Sequence, residues 1–303
     1  MEEVITVNKK EIKLTNLVKI YFPKDKITKG DLINYYRKIS KYILPYLKNR
    51  PESLNRYPNG INGPSFFQKN MPDTIPEWVK TVEVFSESNN ENINYLVCSD
   101  EATLAYMANL GCIEINPWFS TTKNLNNPDY IAIDLDPLNI SFEKVVEVAR
   151  AVKEVLDKGE ITGYCKTSGA TGIHIYIPLS AKYDYEIGKE FALVIANLTH
   201  ELVPSITSIE RSPAKRKRKV YVDYLQNRRG QTLAAPYSVR PKPGAPVSTP
   251  LLWKELNQKF LPEDFNIKTI FKRLEKTGDL FEGVLGKGTN IMKNLKNLGA
   301  RYL

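Results

Sequence analysis

Apolar residues recur at helical spacing in four stretches of the chain, and helix-capping residues precede some of them. The first stretch begins at Thr28 and Asp31, which stand three residues apart as in a capping box, and we expect Pro45 to end this helix. A second helix is expected to start at Ser99, with acidic residues in its first turn. Two further helices are predicted over 141–156 and 185–202.

Short segments in which polar and apolar residues alternate lie between these helices and predict strands. They fall around 130–136, 173–177 and 220–225. A proline-rich stretch over 236–250 predicts an extended arm that crosses the surface. Because strands and helices alternate along the chain, the pattern indicates an α+β or mixed α/β fold, and we see no clear domain boundary in it.

The composition is that of an ordinary globular protein. Of 303 residues, 42% are hydrophobic, which excludes disorder and allows one large domain or about two average ones. The three cysteines lack the spacing of a metal or redox site, and acidic residues stand at the start, where a signal peptide would be basic. No stretch approaches the ~18 apolar residues of a membrane span. We therefore expect a cytoplasmic protein without a membrane partner.

The positive charge is concentrated in one segment. The chain carries 43 Lys and Arg against 34 Asp and Glu, and ten of the basic residues lie between Arg211 and Lys242 with a single acid, Asp223. Such a run either forms a solvated loop or binds nucleic acid or phosphate. We expect its densest part to lie on a mobile loop that attracts nucleic acid generally. This part consists of Lys215, Arg216, Lys217, Arg218 and Lys219.

Asp134 and Asp136 stand side by side on one face of the first predicted strand, and Ile133 and Leu135 lie on the other. Adjacent carboxylates raise one another's pKa unless a cation lies between them. An all-oxygen pair suits a hard ion such as Mg²⁺ or Mn²⁺. The alternative is a strand end whose acids face the solvent.

A loop of small residues over 168–172 leads directly into the second predicted strand and can offer backbone N–H groups to an anion. His174 follows on the polar face, and because it comes right after the loop we favour phosphate contact over a structural role. Asp223 in the third strand is either a further site carboxylate or a charge partner for Lys or Arg. Three strands that offer such groups from one face, beside basic residues, indicate a two-metal phosphoryl-transfer site.

These motifs closely resemble the polymerase domain of bacterial ligase D, a member of the archaeo-eukaryotic primase superfamily that acts in DNA end joining. The resemblance is carried by DLDP at 134–137, SGATGIH at 168–174, VDYLQN at 222–227 and APYSVRPKPGAPVSTPL at 235–251. Nearer the start, LTNLVKIYFP, TKGDLINYY, RYPNGI and FFQKN also look like that family.

The resemblance implies a single compact domain over 1–303, with an RRM-like palm in an archaeo-eukaryotic primase-like catalytic core. Within it, residues 1–120 would carry DNA-end-binding residues, 121–260 the catalytic core and 261–303 a C-terminal helical part. The activity implied is a divalent-metal-dependent nucleotidyl transfer that uses Mn²⁺ or Mg²⁺.

The resemblance also implies roles for individual residues. The catalytic metal ligands would be Asp134, Asp136 and Asp223. The incoming nucleotide would be bound by Ser168, Gly172, His174, Arg240 and Asn116. DNA would be contacted by Asn16, Lys19 and Lys29 at a 5′-phosphate, by Arg56, by Phe66 and Phe67 through stacking, and by Lys215, Arg216, Lys217 and Arg218. For the phenylalanines the alternative is core packing, and for the two isolated lysines it is an ordinary solvated surface.

The chain departs from the family pattern at two positions. Asn116 and Asn70 stand where histidines are expected. Asparagine can hydrogen-bond but cannot carry a positive charge, so the change concerns nucleotide positioning and sugar preference.

The implied function is an end-joining DNA-repair polymerase or primase that prefers ribonucleotides. It would use nucleoside triphosphates to extend broken or gapped DNA ends that carry a 5′-phosphate, together with a Ku-like end-binding protein and a DNA ligase. Two alternatives stay open, a metal-dependent nuclease or phosphodiesterase and a non-catalytic DNA-end-binding module.

Overall fold

A computed structural model of the chain describes residues 2–87 and 90–300. These residues divide into two compact units, each drawn from three separate segments. Unit 1 lies within Met1–Lys123, Thr232–Ser248 and Phe265–Phe271, and unit 2 lies within Asn124–Gln231, Thr249–Asp264 and Lys272–Leu303. Because neither unit is one continuous stretch, a linear scan of the sequence meets no boundary. The division of the chain at 120 and 260 stays a prediction.

Unit 1 combines small antiparallel sheets with two helices. Its strands are β1 (Glu2–Val7), β2 (Lys10–Thr15), β3 (Ile20–Phe22), β4 (Ile27–Thr28), β5 (Glu52–Arg56), β6 (Phe66–Gln68), β7 (Thr81–Ser86), β8 (Glu91–Leu96) and β9 (Cys112–Pro117). Its helices are α1 (Lys29–Leu47) and α2 (Glu101–Asn109). The order β6-β5-β9 forms a three-stranded sheet, and β1–β2, β3–β4 and β7–β8 are antiparallel pairs.

Helix α1 begins where the capping pattern predicted. The Thr28 hydroxyl accepts a hydrogen bond from the Asp31 backbone N–H at 3.1 Å, and the Asp31 carboxylate accepts one from the Thr28 N–H at 2.8 Å. The prediction that Pro45 ends this helix is wrong, because the helix continues to Leu47. Pro45 removes one hydrogen bond near the helix end, whereas the added turn buries Tyr46 and Leu47 completely.

The predicted start of α2 is wrong by one residue. Asp100 is the N-cap in place of Ser99, because its carboxylate accepts a hydrogen bond from the Thr103 N–H at 2.8 Å. Aspartate is among the strongest N-cap residues, so the longer acid takes the role that the serine could also have filled.

The prediction that 236–250 is a surface arm is also wrong. Tyr237, Val239 and Val247 are fully buried within unit 1, and Val239 pairs with Val247 in a β-bridge. The hydroxyl of Tyr35 in α1 donates a hydrogen bond to the Tyr237 carbonyl at 2.7 Å. The bridge is antiparallel, so the chain reverses between Val239 and Val247, and the apolar side chains between the prolines place the segment in a core.

Unit 2 is built on a six-stranded sheet in the order β13-β14-β10-β12-β11-β15. The strands are β10 (Tyr130–Pro137), β11 (Tyr164–Thr167), β12 (Ile173–Pro178), β13 (Thr207–Ser208), β14 (Val220–Asp223) and β15 (Pro250–Leu251). The helices are α3 (Phe142–Lys158), α4 (Tyr185–Leu202), α5 (Ile270–Thr277), which crosses the boundary between the units, and α6 (Ile291–Leu298). Among the described residues, no helix has both the length and the apolar character needed to cross a membrane.

The two faces of β10 have opposite characters, as the alternation predicted. Ile131, Ile133 and Leu135 are fully buried, and α3 and α4 pack against the strand. Gly188 permits the close approach of α4, since a Cβ there would lie 2.9 Å from Cγ2 of Ile131. The helices therefore cover the apolar face, and the acidic side chains of β10 project from the other.

A second glycine fixes the spacing between β10 and the loop before β12. A Cβ at Gly172 would lie 2.4 Å from the Leu135 carbonyl oxygen, a backbone atom that cannot rotate away. We expect Gly172→Ala to lower the free energy of unfolding by about 1–3 kcal/mol, the usual cost of overpacking. Urea denaturation followed by circular dichroism measures the loss. Thr171→Ala, at an exposed position in the same loop, is the matched control and should unfold like the unaltered protein. An unchanged midpoint for Gly172→Ala would contradict the argument.

Candidate active site

Four chemically active side chains form a row across the sheet of unit 2. The antiparallel register sets Asp134 of β10 opposite both Asp223 of β14 and His174 of β12. It also sets His174 opposite Lys166 of β11. Directly opposed residues project from the same face with Cβ atoms about 4.5–5.5 Å apart. We call Asp223, Asp134, His174 and Lys166 the charged row.

Asp136 lies beside the charged row on the same face, opposite Tyr221 of β14. The Arg216 guanidinium stacks on the Tyr221 ring at 3.8 Å from its centroid and brings Nη1 to 3.4 Å from Asp136 Oδ2. Burial raises the pKa of Asp136 above its ordinary value, and the charge of Arg216 opposes this rise. Arg216 is thus the cationic partner of this carboxylate.

The Asp223 carboxylate is held in place by its own chain segment. It accepts hydrogen bonds from the Leu225 backbone N–H at 2.7 Å and from the Gln226 side-chain amide at 3.2 Å. Burial nevertheless raises the pKa of Asp223, because desolvation outweighs these bonds. Two of the three site carboxylates therefore carry negative charge that the protein compensates only in part.

The donor chemistry of the three carboxylates fits a divalent cation, since hard ions prefer oxygen ligands. Within residues 2–87 and 90–300, no group of three or more His, Cys, Asp or Glu side chains is already gathered around one metal position. The nearest basic partners are instead protein side chains: Arg216 lies near Asp136, and His174 Nε2 lies 3.4 Å from Asp134 Oδ1. A cation bound between these carboxylates would compete with those partners for the carboxylate oxygens.

The loop over 168–172 is shaped by its own hydrogen bonds. The Ser168 hydroxyl oxygen accepts from the backbone N–H groups of Ala170 at 3.1 Å and Gly172 at 3.0 Å. Ser168 is buried, and Gly172 is needed for the close approach to β10. Ser168 and Gly172, both predicted to bind the nucleotide, therefore maintain the conformation of the loop. The loop is followed by β12, which places His174 in the charged row.

Lys166 is a member of the charged row that sequence reasoning did not select. It is fully buried, and its Nζ lies 2.8 Å from His174 Nδ1. The alternation of polar and apolar residues in β11, which ends at Thr167, could have placed Lys166 on the polar face of a strand. Only the pairing of β11 with β12, which is not local in sequence, shows that Lys166 meets His174.

Two predicted nucleotide-binding residues, Arg240 and Asn116, belong to unit 1, whereas the others belong to unit 2. Arg240 Nε lies 3.0 Å from Oε2 of Glu114, a buried carboxylate on β9. The Asn116 amide donates to the Ser53 carbonyl at 3.3 Å and to the Glu114 carbonyl at 3.4 Å. The buried asparagine therefore already has backbone partners, and Arg240 is oriented by Glu114.

Unit 1 also brings together a cluster of cations, which we call the basic cluster: Lys19, Lys29 and Arg56. Lys29 is buried, and its Nζ donates to the Thr15 carbonyl at 2.7 Å and to the Thr15 hydroxyl at 3.1 Å. Burial, and then the charges of Lys19 and Arg56, lower the pKa of Lys29 to about 8. Lys29 is therefore a cation in a position that disfavours its charge until an anion arrives.

The N-terminus of α1 does not offer free N–H groups to a phosphate at its first two positions. The Lys29 N–H donates to the Lys19 carbonyl at 2.8 Å, and the Gly30 N–H donates to the Leu17 carbonyl at 2.9 Å. A phosphate near this terminus would therefore not be bound by these two N–H groups. Asn16 is exposed in a left-handed conformation at the start of the same turn, so a phosphate here would meet side chains.

Phe66 and Phe67 are 48% and 59% exposed, which excludes core packing for both. The Arg56 guanidinium lies 5.1 Å from the Phe66 ring centre and donates to the Gln68 side chain at 2.7 Å. The two rings are therefore available for stacking, and one of them lies beside the basic cluster.

The dense basic run is not uniform. Lys215, Lys217 and Arg218 are exposed, whereas Arg216 is 9% exposed. Its guanidinium donates to the carbonyls of Glu210 at 3.0 Å and Arg211 at 2.7 Å. The expectation that Arg216 belongs to a nonspecific surface is corrected: it ties this segment to Asp136.

Known proteins are similar to this chain over most of its length. Residues 28–281 match the family model described as the LigD primase-polymerase domain. The chain is 39% identical over 270 residues to the bifunctional non-homologous end joining protein LigD of Bacillus subtilis. This match covers 88% of this chain and 43% of that protein. It is 30% identical over 267 residues to the multifunctional LigD of Pseudomonas aeruginosa, covering 88% of this chain and 31% of that protein. The chain thus spans less than half the length of these curated relatives.

A solved structure also matches. The polymerase domain from Mycobacterium tuberculosis ligase D in complex with DNA superposes with a TM-score of 0.84 at 27% identity. The match covers 92% of this chain and 99% of that one. The similarity therefore extends over nearly the whole of both folds and confirms the predicted fold class.

The role of Arg216 as an anchor can be tested by amide hydrogen exchange across 208–219. We expect Arg216→Met to speed exchange in this segment by about tenfold, since hydrogen bonds to charged groups contribute about 1.5–3 kcal/mol. Lys217→Met, at an exposed neighbouring position, is the control and should leave exchange unchanged. Equal exchange rates in the two variants would mean that Arg216 does not hold the segment.

Proposed function

The chain belongs to the LigD primase-polymerase family, and on this premise we propose that it is an end-joining DNA-repair polymerase that adds nucleotides to a DNA 3′ end. The single observation that carries the proposal is the common face of Asp134, Asp136 and Asp223, with His174 in the same row. Nucleotidyl transfer moves a highly charged group, so catalysis depends on positioning and on compensation of charge. A face that combines carboxylates with phosphate-directed groups suits that task.

Asp134, Asp136 and Asp223 would hold divalent cations, Mn²⁺ or Mg²⁺. When bound, such ions neutralise the phosphate oxygens and lower the pKa of a coordinated hydroxyl. The raised pKa values of Asp136 and Asp223 support this reading, because partly desolvated carboxylates gain most from an added cation. A bound ion would then replace Arg216 as the positive charge beside the Asp136 carboxylate.

The incoming nucleoside triphosphate would lie against the loop over 168–172, with His174 directed at its phosphates. Arg240 presents a planar fork that can bind two phosphate oxygens, and Glu114 orients that fork. We propose a preference for ribonucleotides, which rests on the family resemblance. Asn116 would contribute through its side-chain amide, which can hydrogen-bond to a 2′-hydroxyl but carries no charge.

The DNA end would be bound by unit 1. The basic cluster, with Asn16, would hold a 5′-phosphate, because a dianion beside Lys29 favours the charged form that burial and its neighbours disfavour. Phe66 and Phe67 would stack on bases, each contact being worth about 1–3 kcal/mol. Lys215, Lys217 and Arg218 would add sequence-independent attraction. A Ku-like protein and a DNA ligase are the proposed partners.

One experiment separates this function from its alternatives. The protein is incubated with a primed template, Mn²⁺ and each nucleotide separately. A polymerase lengthens the primer, a nuclease or phosphodiesterase shortens a strand, and an end-binding module leaves both unchanged. We expect a longer primer; shortening or no change would overturn the proposal.

The first prediction concerns the carboxylates. We expect Asp136→Ala to reduce primer extension by at least about a hundredfold, because metal-based stabilisation of the transition state is worth several kcal/mol. The fold should persist, since removing one of several adjacent acids relieves repulsion. Asp157→Asn, on the exposed side of α3, is the control. Near-normal extension by Asp136→Ala would contradict the assignment.

The second prediction concerns the sugar. We expect single-nucleotide incorporation to favour ribonucleotides by about five- to tenfold, the effect of one net hydrogen bond to a 2′-hydroxyl. Because Asn116 cannot supply a charged donor, the preference should be modest. The ratio of kcat/KM for a ribonucleotide to kcat/KM for the matching deoxyribonucleotide measures this preference. Equal kcat/KM values for the two nucleotides would refute it.

The third prediction concerns the 5′-phosphate. The ordinary pKa of lysine is 10.5, and that of Lys29 lies near 8, so its charge is lost as the pH rises through about 8. The phosphate is already a dianion at pH 7, since its second pKa is about 6. We therefore expect the preference for 5′-phosphorylated gapped DNA over unphosphorylated DNA to fall between pH 7 and pH 9. Binding titrations at fixed ionic strength measure this preference.

Two double variants control this prediction. Lys19→Ala with Lys29→Ala should abolish both the preference, worth about tenfold or more, and its pH dependence. Lys215→Ala with Lys217→Ala should weaken binding to both DNAs alike. If the first pair also weakened both equally, these lysines would belong to the nonspecific surface.

A further inference from the structure

Lys166 is a buried charge whose nearest described partner in the charged row is an imidazole. It is fully buried in β11, and no part of its side chain reaches the surface. Its Nζ lies 2.8 Å from His174 Nδ1 and 5.5 Å from the centre of the Tyr176 ring. His174 is itself 3% exposed. The contact with His174 is therefore a route by which buried Lys166 can act on a ligand.

The chemistry of this contact restricts the position of the imidazole proton. A charged ammonium has three donors and no acceptor, so the nitrogen that faces it must be an acceptor. In a neutral imidazole one ring nitrogen carries the proton and the other accepts. With Nδ1 accepting from Lys166, the proton resides on Nε2.

The contact on the other side of the ring favours the same tautomer, but it is longer than an ordinary hydrogen bond and does not fix the tautomer alone. Nε2 of His174 lies 3.4 Å from a carboxylate oxygen of Asp134. An unprotonated Nε2 would set its lone pair against the lone pairs of that oxygen, whereas an Nε2–H points a donor at it.

We infer that Lys166 is a positioning residue that fixes His174 as its Nε2–H tautomer, so that the ring presents an N–H donor on the side of Asp134. Where this donor acts on a nucleotide phosphate, the inference rests on the proposed function. In that setting Lys166 supplies the positive charge from behind the ring, and His174 supplies the directed hydrogen bond. The two residues together would recognise a phosphate oxygen that neither could bind as well alone.

The tautomer can be read without any substrate. Ring nitrogens of ¹⁵N-labelled histidine report which of them carries a proton through long-range ¹H–¹⁵N correlations. His200 is the only other histidine in the sequence, so His200→Gln leaves His174 as the single signal. We expect an unprotonated Nδ1 and a protonated Nε2 at pH 7.5 in the absence of nucleotide and metal. A proton on Nδ1 would overturn the inference.

Lys166→Met tests the cause, because methionine keeps an unbranched, apolar side chain and removes the ammonium. We expect the ring nitrogens of His174 to lose the fixed Nε2–H pattern and to show exchange between tautomers. The KM for the incoming nucleotide should rise about tenfold, while kcat changes by less than about threefold, as for a lost binding contact. Lys158→Met, exposed at the end of α3, is the matched control and should change neither.

The outcomes separate the tautomer from the function. A Lys166→Met protein that keeps the Nε2–H pattern and the KM of the unaltered enzyme would refute the positioning role. If the unaltered protein incorporated no nucleotide, the proposed function would fail, whereas the tautomer measurement would still decide the role of Lys166. The measurement on the Lys166-containing protein does not depend on whether Lys166→Met folds.

Discussion

The antiparallel register of β10 against β12 and β14 is the constraint on which the candidate site depends. Side chains alternate along a strand, so a slip of one residue would turn Asp134 and Asp136 into the helix-covered layer. It would also expose Ile131, Ile133 and Leu135, each of which gains about 1.5–3 kcal/mol from burial. The hydrophobic layer beneath α3 and α4 therefore specifies the position of every charge on the opposite face. The site is a consequence of packing on the side where no chemistry takes place.

Charge compensation is the second requirement of this face. Three carboxylates on neighbouring positions repel one another, and burial adds to the cost by raising the pKa values of Asp136 and Asp223. The protein places Arg216 on Asp136 and extends the charged row to Lys166. The carboxylates are therefore partly compensated by the chain itself, and repulsion between them does not by itself demand an ion. What favours a cation is the incompleteness of that compensation, together with a donor set made of oxygen atoms.

Local patterns in the sequence predict many of the helices and strands. They do not predict contacts between segments that are distant in the sequence. The alternation in 130–136 and 173–177 predicts β10 and β12, and the capping residues at 28 and 31 predict the start of α1. Lys166 and Arg216 escape such reasoning, because their partners lie eight and eighty residues away and are chosen by strand pairing and by a stacking ring. The rule that proline ends a helix fails at Pro45, because it does not consider the burial of the residues that follow.

Lys29 and Lys166 show that buried lysines can have different roles, one in binding a ligand and the other in positioning a neighbouring side chain. Lys29 is buried beside other cations, so burial first and their charges second lower its pKa to about 8, and the cost is relieved when an anion binds. Lys166 lies in a row with carboxylates, so its charge partly offsets theirs and helps to orient His174. A cation placed among cations is suited to capturing a ligand, since the ligand brings the missing charge. A cation placed among anions is suited to holding neighbours in one arrangement, because its partners are present before any ligand arrives. The sign of the surrounding charge, more than the lysine itself, therefore decides which residue binds and which one positions.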